Sequence, residues 1–194
     1  MTRIIAGVAK GRRFLAPTHD RTRPTSDRVR EAAFTLIADW AGTAGEPSET
    51  QLKGFSFLDL YAGSGGVALE AASRGAEPVR CIESDPGTAD LLRRNVRESK
   101  LEVSVTAAKV EQVVLAAPDR AWDVVWLDPP YALADTALLR VVVALEAGWL
   151  ARDGLIVVER ASRSGAFPWP GYVHHTWERR YGETTLHFGS PEQP

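Results

Sequence analysis

Two short stretches of the chain carry residue types that could do chemistry at spacings that let them meet. The first is Asp59-Leu60-Tyr61-Ala62-Gly63-Ser64-Gly65-Gly66. It lies between a strand-like apolar run and a helical pattern, so its glycines let a ligand approach the backbone and leave the helix N-terminus open. Gly63, Gly65 and Ala68 satisfy the G-x-G-x-x-G/A spacing of a dinucleotide turn. Glu83, at the end of the following strand, would take ribose hydroxyls from either a nicotinamide dinucleotide or S-adenosylmethionine. Asp59 discriminates between them. Its carboxylate repels a pyrophosphate but suits a ligand carrying a sulfonium and an ammonium.

The second stretch is Asp128-Pro129-Pro130-Tyr131, directly after another strand. The carboxyl end of a strand is where open α/β sheets bind ligands. Two prolines fix the backbone, so the Asp128 side chain and nearby carbonyls become preoriented acceptors. The exocyclic amino group of a nucleobase is conjugated into its ring and is a poor nucleophile. Acceptors for its two hydrogens favour the pyramidal nitrogen and the positive charge that grows during methyl transfer. Tyr131 can stack on the base and hold it in line.

The elements that must position these residues follow from the patterning. Arg3-Ile4-Ile5-Ala6 and Arg13-Phe14-Leu15-Ala16 flank Gly7 and Gly11 and read as a hairpin. Thr25, Ser26 and Asp27 are N-cap types, and Val29, Ala33, Leu36, Ile37 and Trp40 keep helical spacing, which predicts a helix over 27–40. Arg28, Arg30 and Glu31 are expected on its other face. The Gly, Thr, Pro, Ser and Glu content of 42–54 marks a linker, dividing the chain into an extension, 1–41, and a main domain, 55–194. Strands are expected at 55–60, 79–83, 102–107, 123–127 and 154–159, with helices at 65–74, 86–99, 110–116 and 133–147. That rhythm specifies a doubly wound, mostly parallel α/β sheet. Segments 173–181 and 184–188 flank Gly182 and close it with an antiparallel hairpin, seven strands in all.

Composition narrows the class. The 194 residues are 44% apolar and 25% charged, a globular balance, and fit one domain with an appendage. A single cysteine, Cys81, excludes a disulfide framework and a cysteine-based zinc site, and its place in an apolar strand marks it as core. The four histidines lack ligand spacing, so no metal is expected. With no signal-peptide core and no membrane-length apolar run, the expected location is cytoplasmic. The net charge of −2 conceals a split: residues 1–30 carry eight basic and two acidic side chains, leaving −8 for the rest. A basic arm on an acidic body points to a polyanion.

These motifs carry a resemblance. The glycine turn with Asp59 and Glu83, together with Asp128-Pro129-Pro130-Tyr131, resembles class I S-adenosylmethionine-dependent amino methyltransferases. Arg3-Ile4-Ile5-Ala6-Gly7, Lys10-Gly11-Arg12, Arg23-Pro24-Thr25-Ser26-Asp27-Arg28-Val29-Arg30-Glu31-Ala32 and Arg180-Tyr181-Gly182-Glu183-Thr184 narrow it to the bacterial RsmD family. That resemblance implies methylation of guanine N2 in 16S ribosomal RNA, with the small ribosomal subunit or its RNA as partner; for oligomeric state, which the sequence leaves open, a monomer is the default expectation. It implies that Asp128, Pro129 and Tyr131 hold the target guanine. The cofactor would be lined by Asp59, Tyr61, Ala62, Gly63, Ser64, Gly65, Glu83, Ser84 and Val110. Many such enzymes place an acidic or amide side chain after strand three. Ala107-Ala108-Lys109-Val110 stands there instead, so backbone would meet the adenine amino group and Val110 would pack on the ring. Arg3, Lys10, Arg12, Arg13, Arg23 and Arg28 would grip RNA phosphates, and Thr25 and Ser26 would either cap the helix or face the site.

Three other readings stay open. An adenine-N6 DNA methyltransferase shares the Asp128–Tyr131 tetrapeptide but leaves the N-terminal signature unexplained. A non-catalytic RNA-binding protein would bind RNA whatever stands at residue 128. A nicotinamide-dependent oxidoreductase would be stabilised by its own dinucleotide.

Overall fold

The computed structural model describes residues 2–16, 26–130 and 132–192. The expectations placed on Arg23, Thr25 and Tyr131 lie outside those residues.

Strands β1 (Thr2–Arg3) and β2 (Arg13–Phe14) pair antiparallel. The hairpin is held further by Ile4 N–H to Arg12 O at 2.9 Å and Gly11 N–H to Ile4 O at 2.8 Å. Its strands are two residues long rather than four, because the chain turns to dock on the main body instead of extending the ladder. Helix α1 (Asp27–Trp40) starts at Ser26, whose Oγ accepts the Val29 N–H at 3.3 Å. Ser26 thus caps the helix, and it also borders the cavity described below.

The main body alternates β3 (Phe57–Leu60), α2 (Gly66–Ser73), β4 (Val79–Glu83), α3 (Pro86–Ser99), β5 (Ser104–Ala107), α4 (Val110–Val113), β6 (Trp122–Leu127), α5 (Asp135–Ala144), β7 (Leu150–Ala161), β8 (His175–Tyr181) and β9 (Thr184–Ser190). The sheet order is β5-β4-β3-β6-β7-β9-β8. The strands from β5 to β7 are parallel, and β9 runs antiparallel to both β7 and β8. The alternation of apolar side chains buries both faces. Phe57, Trp126, Val157 and Phe188 meet residues of α1, α2 and α3 on one side. Leu58, Val125, Ile156 and Val158 meet α4 and α5 on the other. Cys81 is fully buried in the first of these layers. The chain order reverses between β3 and β6, which opens a crevice at their carboxyl ends.

Other sequence expectations change as well, several of them only in element bounds. Strand β7 runs from residue 150 to 161, longer at both ends than 154–159, because its later part pairs with β9 as far as Ala161. Arg30 is buried, with 1% of its surface exposed, rather than solvated. Residues 30, 33, 34 and 37 share one helical stripe, and Arg30 is satisfied there by Asp27 at 3.0 Å, by the Arg3 carbonyl at 2.6 Å and by the Phe14 ring. The segment 42–54 is tied down by Thr43 Oγ1 donating to Gln51 O at 2.7 Å, and Leu52 is buried in the core. Among the described residues no helix is long and apolar enough to cross a membrane.

Candidate active site

At the end of β3 the Asp59 carboxylate is buried and accepts the Ala68 N–H of helix α2 at 3.2 Å. Burial is the largest influence on it and raises its pKa from 3.8 to about 8; the Ala68 bond opposes this, and Glu83 and Glu159 add to it. A buried carboxyl that holds its proton so firmly is stabilised in its charged form by a cation, which fits the ligand class inferred from the sequence. Gly65 caps α2 at φ +86°, and a Cβ there would lie 2.2 Å from Leu92 Cδ1, so the turn can pass α3 only without a side chain. The Gly63 N–H donates to Glu83 Oε2 at 2.9 Å, and the Asp85 N–H donates to Oε1 at 2.8 Å. Glu83 is therefore oriented on the rim of the crevice, with lone pairs remaining on both oxygens.

Tyr61 adopts φ +66°, a conformation that costs on the order of 1–3 kcal/mol and clusters at ligand sites. Its hydroxyl donates to Glu111 Oε1 on α4 at 2.9 Å, and burial together with that carboxylate pushes its pKa upward. Glu111 is a site residue that sequence reasoning passed over. It lies one position beyond Val110, which is buried as part of the α4 packing. Asn95 was also missed. Its side-chain amide donates to Ser64 O at 3.0 Å and to Leu15 O at 2.9 Å, joining the glycine turn to the N-terminal segment. The Ala62 N–H donates to Ile82 O at 2.9 Å, and Ser84 is exposed at the rim.

Asp128 follows β6 directly and is half-buried, with Pro129 buried and Pro130 exposed behind it. Leu127 is in register with Leu60 on one side and Val158 on the other. Asp59 pairs with Trp126, so Asp128 stands two residues, roughly 7 Å of strand, further out from that pair. The two motifs thus come together at the reversal point of the sheet. At the end of β7, the strand next to β6, lies a cavity of about 650 Å³ whose walls include Ser26, Val29, Glu159, Arg163, Arg180 and Tyr181.

Among the described residues, every basic side chain of the arm except Arg30 faces solvent. Lys10, Arg13 and Arg28 are exposed, and Arg3 lies 3.9 Å from Asp27. Arg12 is exposed but donates to the Ser99 carbonyl at the end of α3. Trp169 lies in a loop and packs edge-on against Phe167 at 4.8 Å.

The strand order, the glycine turn with its buried carboxylate and the Asp-Pro-Pro corner together define a class I methyltransferase, the class whose methyl donor is S-adenosylmethionine. Residues 2–190 match the family described as Conserved hypothetical protein 95. The ribosomal RNA small subunit methyltransferase D of Escherichia coli K12 is 33% identical over 165 residues, covering 84% of this chain and 76% of the relative. Its namesake in Haemophilus influenzae is 35% identical over 164 residues, covering 81% and 77%. Among solved structures, a hypothetical protein of Thermus thermophilus superposes with a TM-score of 0.79 at 30% identity, covering 98% and 99% of the two chains. The chain belongs to the RsmD family.

Proposed function

We propose that this protein transfers a methyl group from S-adenosylmethionine to the exocyclic N2 of a guanine in small-subunit ribosomal RNA. The observation that carries the reading is the meeting of Asp59 and Asp128 on the neighbouring strands β3 and β6 at the sheet's reversal point. The names borne by family members at 33% and 35% identity support ribosomal RNA as the substrate class.

Bound S-adenosylmethionine would supply an activated methyl group. Asp59, with the Gly63–Gly65 turn, would hold its methionine part, and Glu83 its ribose. Asp128 and the Pro129 carbonyl would accept the two N2 hydrogens and draw the nitrogen lone pair out of conjugation. Tyr131 would cover the base. Attack in line forms the nitrogen–carbon bond as the carbon–sulfur bond breaks, and sulfur keeps the electron pair. The surplus N2 proton then passes to water, because a carboxylate that is accepting hydrogen bonds is a weak base for it. The base must leave its stack to reach this corner. Residues 1–41 serve as the RNA-binding extension, with Lys10, Arg13 and Arg28 facing phosphates, and the enzyme acts as a cytoplasmic monomer.

Labelled S-adenosylmethionine with unmodified small subunits, naked ribosomal RNA and duplex DNA in parallel, followed by nucleoside analysis, tests the reading. N2-methylguanosine on subunits or RNA supports it. N6-methyladenine on DNA replaces it with the adenine enzyme, and no transfer to any of the three sinks it.

A further inference from the structure

We infer that Glu159 is the residue that selects guanine over adenine at the methylation site, by accepting the N1–H of the target base. The inference rests on the guanine-N2 reading above and goes beyond it by assigning the source of base choice.

The argument begins with a gap in the Asp-Pro-Pro corner. A pair of acceptors for amino hydrogens serves guanine N2 and adenine N6 equally, so that corner fixes the reaction and leaves the base open. The two purines differ at the adjacent ring nitrogen, which is a donor, N1–H, in guanine and a lone pair in adenine. A specific enzyme therefore needs an acceptor beside the corner, and a carboxylate, which only accepts when ionised, is the strongest choice.

Glu159 occupies that place. Leu127 and Val158 are paired residues of parallel strands, so Asp128 and Glu159 are the next positions in register. Trp126 and Val157 pack in the same layer, and alternation carries that side of the sheet on to residues 128 and 159. The Glu159 side chain lines the cavity of about 650 Å³, with Ser26 and Val29 of the N-terminal extension opposite and Arg163 and Arg180 among its walls. That volume lies within the range of small-molecule sites, and the two guanidinium groups suit the nucleotide's phosphate. The charge of Glu159 is also felt at Asp59, which places it at the crevice rather than on a remote surface. An adenine in the same pose would set its N1 lone pair against the carboxylate, a repulsion that rejects the wrong base.

The test uses the full chain with small subunits lacking the methyl group, comparing Glu159→Gln and Glu159→Ala with the parent. Initial rates, S-adenosylmethionine affinity by calorimetry, melting temperature and nucleoside identity are read for each. Glu159→Ala should lower kcat/KM for the subunits by about 10- to 100-fold. Glu159→Gln, which keeps an uncharged acceptor of the same shape, should fall between it and the parent, with melting unchanged and S-adenosylmethionine still bound. Parental rates in both variants would overturn the assignment, as would a loss that follows lowered melting or lost cofactor binding. If the parent makes N2-methylguanosine and the variants make as much, only Glu159 is wrong. If the parent makes none, the guanine reading itself fails and takes this inference with it.

Discussion

Glu70, buried in α2, accepts the backbone N–H of Ile5 at 2.7 Å across 65 residues of sequence. Its other oxygen accepts the Ala6 N–H at 3.0 Å and the Arg74 Nε–H at 2.9 Å, and Arg30 Nε lies 3.8 Å from the oxygen that bonds Ile5. One carboxylate thus lies against two buried guanidinium groups, Arg30 being paired with Asp27 as well, and fastens the hairpin to the helix that begins at the glycine turn. Removing one partner from such a cluster leaves uncompensated buried charge. Glu70→Ala should cost about 3–5 kcal/mol of stability in a denaturant titration.

Gly7 makes the same attachment by shape. It has φ +80°, and a Cβ there would fall 1.8 Å from the Ser73 carbonyl oxygen, with the Val8 N–H bonded to that oxygen at 2.8 Å. Gly7→Ala cannot be absorbed by a side-chain rotation. The expected outcome is local release of the hairpin: hydrogen exchange should quicken at Ile5, Ala6 and Ala9 while the β3 and β6 amides keep their protection.

The Asp59 pKa of about 8 predicts how cofactor binding responds to pH. Below that value the free protein holds the proton, and a cationic ligand must displace it. Affinity for S-adenosylmethionine should rise by about tenfold between pH 6 and pH 7, with close to one proton released at pH 7. Calorimetry in buffers of different ionisation enthalpy reads that proton, and Asp59→Asn should bind weakly with no such slope. The sign for folding is opposite. The folded pKa exceeds the unfolded one, so this group's contribution to stability falls as pH rises from about 4 to 8.

The glycine turn, Asp59, Glu83 and the Asp-Pro-Pro corner were legible in sequence because each lies within one strand–turn–helix unit, where short-range spacing carries the geometry. What escaped is long-range. Glu70 sits four residues before Arg74 and reads as an exposed helix pair; it is buried because a hairpin some 65 positions earlier covers that face. Arg30 was misplaced for the same reason. Tyr61 and Glu111 meet only through the sheet order, and Glu159 follows the apolar run of β7 with nothing nearby in sequence to mark it.

Asp128→Asn keeps the shape of the corner and removes its charge. Methyl transfer should fall by about 10²- to 10³-fold with cofactor affinity retained, since the lost interaction strengthens only as positive charge grows on the nitrogen. Single-turnover rates at saturating cofactor separate this from weakened binding.

For the arm, the slope of log affinity against log salt counts phosphate contacts. Lys10→Ala and Arg13→Ala should each reduce that slope by about one, measured by titrating RNA at several salt concentrations.

The fastening of the hairpin through Glu70, Ser73 and Asn95 has one more consequence. All three anchors belong to α2 and α3, the helices that frame the glycine turn, so the described hairpin and that turn are fastened to the same two helices. RNA gripped by the arm would meet the crevice at a single distance and angle. On the proposed function, such an enzyme would work as a gauge: it would accept a base presented by folded RNA at the right offset, and slack strands, however tightly held, would fall out of tolerance.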